Sequence, residues 1–199
     1  MTLIIGVDFT LGKDKYLYMA GDKCGSDGFT KDLYVKPKIF KRDDLAFGYT
    51  SSFRMGQILE YAKISKDLPN WKEEKNVYTS FVDWAKTAMK DGGYLQEDKG
   101  VAKGGNFIFY NGKTLYEVQN DFSILVPEDG LLAVGSGEYH AKAIMRTYMA
   151  LVKKEQVKFD IDLMVSLVYD TVSSLVTSVS KEHDLFDLSK KEKVPHNEN

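Results

Sequence analysis

Thr2 follows Met1 directly and opens the apolar run Leu3-Ile4-Ile5-Gly6-Val7. Once Met1 is removed, one residue carries both a hydroxyl and a free amine. These are a nucleophile and its base, the N-terminal-threonine form of covalent catalysis. A small second residue generally permits loss of Met1, so no self-cleavage is required, and no leader or propeptide is expected ahead of Thr2. Many proteins begin Met-Thr, so this pair alone is no signature and its surroundings must decide. Other chemistry-bearing residues are sparse. His140, His183 and His196 show no paired metal-ligand spacing. A single cysteine, Cys24, excludes an intrachain disulfide framework and a cysteine-rich metal site. Gly135-Ser136-Gly137 lacks the full spacing and the lysine of a phosphate loop. The expected site uses no metal and no cofactor.

The 199 residues, 43% hydrophobic and 13% aromatic, are enough for one domain with a sizeable core. We read a single domain over 1–188 and a charged, flexible tail over 189–199. A net charge of −2 implies no bulk attraction to nucleic acid or to an anionic membrane. No apolar run reaches the length of a membrane span, and the N-terminus lacks the basic and apolar regions of a signal peptide. The expectation is a cytoplasmic protein without nucleic-acid or membrane partners.

These residues must be placed by strands and helices in a particular order. Leu3, Ile5, Val7 and Phe9 alternate, and after the polar turn Leu11-Gly12-Lys13-Asp14 a second strand, residues 15–20, completes a hairpin. A Gly- and Asp-rich loop over 21–32 leads to Lys38-Ile39-Phe40-Lys41, the turn Arg42-Asp43-Asp44, and Leu45-Ala46-Phe47-Gly48-Tyr49, a second hairpin. Helical spacing starts at Phe53 and stops before Pro69; a second helix covers 77–89. Residues 91–105 read as a connector. Strands resume at 106–110 and 114–118 around Asn111-Gly112, a strong hairpin signal, followed by the short strand Leu131-Leu132-Ala133-Val134. One more helix follows Gly137, and another spans 160–180. Strands, two helices, strands, two helices: runs of this kind predict an α+β domain with one helix pair on each of two sheets.

This order, together with Thr2-Leu3-Ile4-Ile5-Gly6-Val7, resembles the proteasome β-subunit family of N-terminal-nucleophile hydrolases, especially its simple bacterial ring-forming branch. Four further stretches carry the resemblance: Ala20-Gly21-Asp22 with Ser26 beyond it; Lys36-Pro37-Lys38-Ile39-Phe40; residues 45–51, leading into a helix; and Leu132-Ala133-Val134-Gly135-Ser136-Gly137, leading into another. It covers most of the chain. It implies a four-layer αββα sandwich with two antiparallel sheets between helix pairs, and a threonine-type endopeptidase that assembles as a homo-oligomeric ring. Peptides or unfolded proteins would be the substrates, admitted by an ATP-driven unfoldase.

The resemblance also assigns roles. Thr2 attacks the peptide carbonyl while its α-amine, with an ordinary pKa of about 7.7–8.0, takes the proton more readily than a lysine at about 10.4. Lys38 keeps its charge beside Thr2, and Asp22 pairs with Lys38; the bland alternative is a surface ion pair across strands. Gly48 presents its backbone N–H to the oxyanion. Ser136 hydrogen-bonds near the Thr2 amine, or simply caps the next helix. Cys24, Ser26, Lys36, Tyr49 and Thr50 border the substrate, with Phe53 near them. The segment Cys24-Gly25-Ser26 pairs with an extended peptide, and Lys36 raises the idea of an acidic or small-polar preference.

The pattern departs from the family at three places. The acid usually found near the Ser of Gly-Ser-Gly is missing from Val172-Ser173-Ser174-Leu175-Val176-Thr177-Ser178. Ser174 falls nearest that position, with Asp170 and Asp184 out of register. The loop between the first two strands is longer than usual, and only Leu185-Phe186-Asp187-Leu188 is left for a closing strand. Three functions therefore stay open: a ring-forming threonine peptidase, which leads; an amidohydrolase of small amides; and a non-catalytic shell protein that has kept the fold.

Overall fold

The computed structural model describes residues 2–26 and 30–190. Strands β1 (Leu3–Leu11) and β2 (Asp14–Asp22) form the first hairpin, in register from Ile4 opposite Gly21 to Leu11 opposite Asp14. The backbone at Gly12 is left-handed, φ 64°, a conformation open to glycine without a Cβ clash. The region expected as a loop over 21–32 holds a small hairpin instead, β3 (Cys24–Ser26) with β4 (Lys31–Leu33). Then come β5 (Ile39–Arg42), β6 (Leu45–Tyr49) and helix α1 (Phe53–Tyr61), which ends earlier than its apolar spacing suggests.

The second helical stretch starts as α2 (Glu74–Asn76), passes through a π-helical turn Val77–Phe81 and continues as α3 (Val82–Asp91). The supposed connector contains another hairpin, β7 (Gln96–Asp98) with β8 (Val101–Lys103). β9 (Phe107–Tyr110) and β10 (Leu115–Val118) meet across a turn in which the Asn111 N–H donates to Thr114 O and Gly112 adopts φ 89°. β11 (Ile124–Leu125) and β12 (Leu131–Gly135) precede the long helices α4 (Glu138–Lys153) and α5 (Ile161–Leu175). Asp160 caps α5 by accepting the Leu163 N–H at 3.1 Å. The closing strand β13 (His183–Asp187) is longer than expected and pairs with β2 along all five residues.

Two larger sheets result, ordered β12-β1-β2-β13 and β11-β10-β9-β6-β5, with antiparallel pairing throughout. The alternation of β1 explains how they meet. Leu3, Ile5 and Val7 share a core with Met145, Val165 and Val168 of α4 and α5, whereas Ile4 on the other face packs with Met19, Ile39 and Ile108. A third cluster joins α1 and α3 to the second sheet through Phe47, Leu59, Phe81, Trp84 and Phe109. Phe81 and Phe109 stack there with ring centres 3.8 Å apart. Each such buried side chain contributes roughly 1.5–3 kcal/mol. Among the described residues no helix is long and apolar enough to cross a membrane. Of the tail, residues 191–199 lie outside the described residues.

Candidate active site

Three strand ends converge. Thr2 precedes β1, Asp22 ends β2 and Lys38 lies just ahead of β5, so the hairpin register sets Asp22 beside the start of β1. Lys38 Nζ donates to Thr2 Oγ1, to Cys24 O and, at 3.0 Å, to Asp22 Oδ1. The Thr2 hydroxyl donates to Asp22 Oδ1. Asp22 also accepts the N–H groups of Leu3 at 2.9 Å, Cys24 at 3.0 Å and Ser180 at 3.4 Å. Thr2, Asp22 and Lys38 are 3%, 0% and 3% exposed, so the Asp22–Lys38 pair is no surface ion pair. Burial pushes the Lys38 ammonium below its ordinary pKa, and the neighbouring Asp22 carboxylate opposes that shift.

Ser136 approaches from the other side of β1. Its N–H donates to Thr2 O at 2.9 Å and its hydroxyl lies 3.3 Å from the same oxygen. The preceding Gly135 makes this approach feasible: at φ 106°, an added Cβ would fall 2.1 Å from Thr2 O. The N-cap of α4 is Gly137, so the Ser136 hydroxyl does not serve as the cap. It meets the Ser178 hydroxyl at 2.8 Å instead.

The sequence had pointed to Ser174 for that neighbourhood. Ser174 is an exposed residue of α5 whose hydroxyl donates to Thr171 O, Asp170 is exposed on the same helix, and Asp184 pairs with Lys23 at 3.0 Å. Because α5 ends at Leu175, the following segment turns inward and delivers Ser178 and Ser180, both buried. Sequence reasoning missed these two. Nothing local marks a serine in a coil as part of a site whose residues lie 42 and 158 positions away. Tyr169 was missed as well; it is fully buried and donates its hydroxyl to Leu3 O at 3.2 Å.

An open cleft leads to this cluster. Thr2 and Lys38 line it together with all three residues of β3 and residues 49–53, so Cys24, Ser26, Tyr49 and Thr50 border one space. Lys36 and Gly48 do not. Lys36 turns away to Glu60, 2.5 Å, and to the Tyr61 hydroxyl, 3.0 Å. Gly48 sits inside β6 between Ile39 and Ile108, where an added Cβ would lie 2.6 Å from Ile4 Cγ2 and 2.8 Å from Met19 Sδ. The flanking Tyr49 N–H donates to Lys38 O and the Thr50 N–H to Asn106 O. Antiparallel alternation therefore directs the Gly48 N–H into the ladder with β9. At the cleft itself, Ser51 adopts φ 59° and the Ser52 N–H folds back to Thr50 O, a tight turn of the strained kind that collects at functional sites. Among the described residues no group of three His, Cys, Asp or Glu side chains could hold a metal ion.

The fold is that of proteasome-like N-terminal-nucleophile hydrolases. BPH of Thiobacillus denitrificans superposes with a TM-score of 0.73 at 20% sequence identity, covering 96% of this chain and 100% of that one. Its complex with epoxomicin gives 0.72 at 19%, covering 95% and 100%. HslV from the eukaryote Trypanosoma brucei gives 0.61 at 18%, covering 93% of this chain and 98% of that one. No family model and no curated protein matches the sequence.

Proposed function

We propose that this chain is the threonine-type peptidase subunit of a proteasome-like ring, with Thr2 as the nucleophile once Met1 is removed. The carrying observation is the buried Thr2–Lys38–Asp22 cluster opening onto a cleft. The three core clusters support the four-layer αββα sandwich that this reading requires.

In the proposed reaction the Thr2 Oγ forms a bond to the substrate carbonyl carbon while its proton passes to the α-amine of Thr2, directly or through one water. The Lys38 ammonium, donating to Oγ1 and anchored by Asp22, stabilises the developing negative charge on that oxygen. The carbonyl oxygen becomes an oxyanion. Among the described residues the Ser51 N–H makes no hydrogen bond, and it replaces Gly48 as our candidate donor. Collapse breaks the C–N bond, and the proton held by the amine leaves with the departing peptide amine. Water then adds to the acyl-enzyme with the same amine as base, freeing the acid product and Thr2. A retained Met1 would turn that base into a non-basic amide and stop both halves.

Subunits would enclose the sites in a homo-oligomeric ring in the cytoplasm, and an ATP-driven unfoldase would supply unfolded chains. One observation favours a second reading, a non-catalytic shell. The contacts of Ser136 are hydroxyl and backbone groups where the family supplies an acid. The two readings separate in one experiment. The intact mass of protein made in cells is taken before and after treatment with epoxomicin, the ligand in the BPH complex. Loss of Met1 and one adduct, absent in Thr2→Ala, supports the peptidase; retained Met1 without an adduct supports the shell.

A further inference from the structure

Among the described residues the charged groups at the cleft are already engaged. Lys38 is held by Thr2, Cys24 O and Asp22, and Asp22 by three backbone N–H groups besides. Lys36, whose charge reaches Tyr49, is neutralised by Glu60 outside the cleft. What remains among the described lining is Cys24, Gly25, two aromatic rings and a few hydroxyls. Burial lifts the Tyr49 phenol to about 12, so it too stays neutral. A carboxylate or guanidinium entering here would lose water and meet no unengaged counter-charge among the described lining. An apolar side chain would not.

Two glycines set the aromatic walls. An added Cβ at Gly56 of α1 would fall 2.3 to 2.6 Å from three atoms of the Tyr49 ring, so that ring rests directly on the helix backbone. An added Cβ at Gly25 would fall 2.2 Å from the Tyr34 ring. Tyr34 in turn meets Phe53 at 4.8 Å between ring centres, and Phe53 meets Tyr49 at 6.4 Å. Phe53 and Tyr34 are 38% and 44% exposed, an apolar lip left open to water.

We propose that the cleft accepts an uncharged apolar side chain, of leucine to phenylalanine size, on the acyl side of the cleaved bond, and that Gly56 is the positioning residue that sets its width through Tyr49. The proposal rests on the peptidase reading. A methyl at Gly56 moves the Tyr49 ring off the helix and narrows the space, which penalises a large side chain and spares a small one.

The test uses the full chain with capped peptides bearing a fluorogenic amide and differing only in the acyl residue (Ala, Leu, Phe, Glu or Arg), alongside epoxomicin labelling of Thr2. Leu and Phe are expected to exceed Glu and Arg in kcat/KM by about tenfold or more. Gly56→Ala should raise KM for the Phe peptide by about tenfold and change the Ala peptide less than about twofold. Phe53→Lys, at the exposed first turn of α1, keeps the question answerable if Gly56→Ala folds poorly; it should bring Glu above Phe. Labelled Thr2 with Glu or Arg cleaved as fast as Leu overturns the apolar class and leaves the peptidase standing. Equal losses for Phe and Ala peptides in Gly56→Ala overturn its role. No label and no turnover overturn the peptidase reading itself.

Discussion

The Ser178 hydroxyl lies 2.8 Å from Ser136 Oγ, and Ser136 holds Thr2 O through its own N–H. Ser178 stands where a carboxylate was expected, and it reaches that place only because α5 stops at Leu175. Ser178→Ala removes one neutral, buried hydrogen bond. It should lower stability by about 1 kcal/mol and turnover by several fold, without abolishing either. Urea midpoints and kcat on a capped peptide check this; an unchanged kcat would show that Ser178 supports the fold alone.

Lys38 and Asp22 are buried together, so losing one leaves the other uncompensated. Lys38→Met should abolish turnover and cost about 3–5 kcal/mol. Adding Asp22→Asn should return part of the stability and none of the activity. Equal stability of the single and double variants would mean that the pair is weakly coupled.

Tyr49 gives a pH signature in stability. The unfolded phenol ionises near 10, whereas the native one, desolvated, holds its proton to about 12. Above the unfolded value the unfolded chain therefore binds fewer protons than the native one, and native stability falls as pH climbs through that window. The full shift corresponds to roughly 2–3 kcal/mol. Tyr49→Phe should lose less stability than the parent over the same alkaline range in urea titrations; parallel pH slopes would contradict the burial of this phenol.

Gly48→Ala tests whether its N–H belongs to the sheet or to the reaction. With Ile4 and Met19 within 3 Å of the new methyl, destabilisation of about 1–3 kcal/mol is expected. Protein that remains folded should keep kcat within a few fold. A loss of about a hundredfold or more in kcat at unchanged stability would return the oxyanion role to Gly48.

Much of the architecture was legible because it is written in period. The alternation over Leu3–Leu11, the Gly12 turn and the stripes of α4 and α5 each reflect a face that must be buried. Three-residue strands carry no period, so β3 with β4 and β7 with β8 were read as loops. The helix after Asp160 was drawn too long because Val176 and Val179 continue its apolar content after its hydrogen bonds stop. At the site, the convergence of Thr2, Asp22 and Lys38 followed from strand order and a family likeness. Lys36 was misplaced because its partner Glu60 lies on a different element. The resemblance assigned the Gly48 N–H to the oxyanion, whereas here the glycine sits inside a strand and makes room for Ile4 between the sheets.

The short segment between α5 and β13 contributes the Ser178 hydroxyl to Ser136, the Ser180 N–H to Asp22 and Val179 O to Lys31. These contacts span up to 158 residues. The groups around Thr2 are thus drawn from distant parts of the sequence and come together only once the tertiary fold has closed. Without residues 178–180 the Thr2–Asp22–Lys38 cluster would lack the Ser178 hydroxyl at Ser136 and the Ser180 N–H at Asp22.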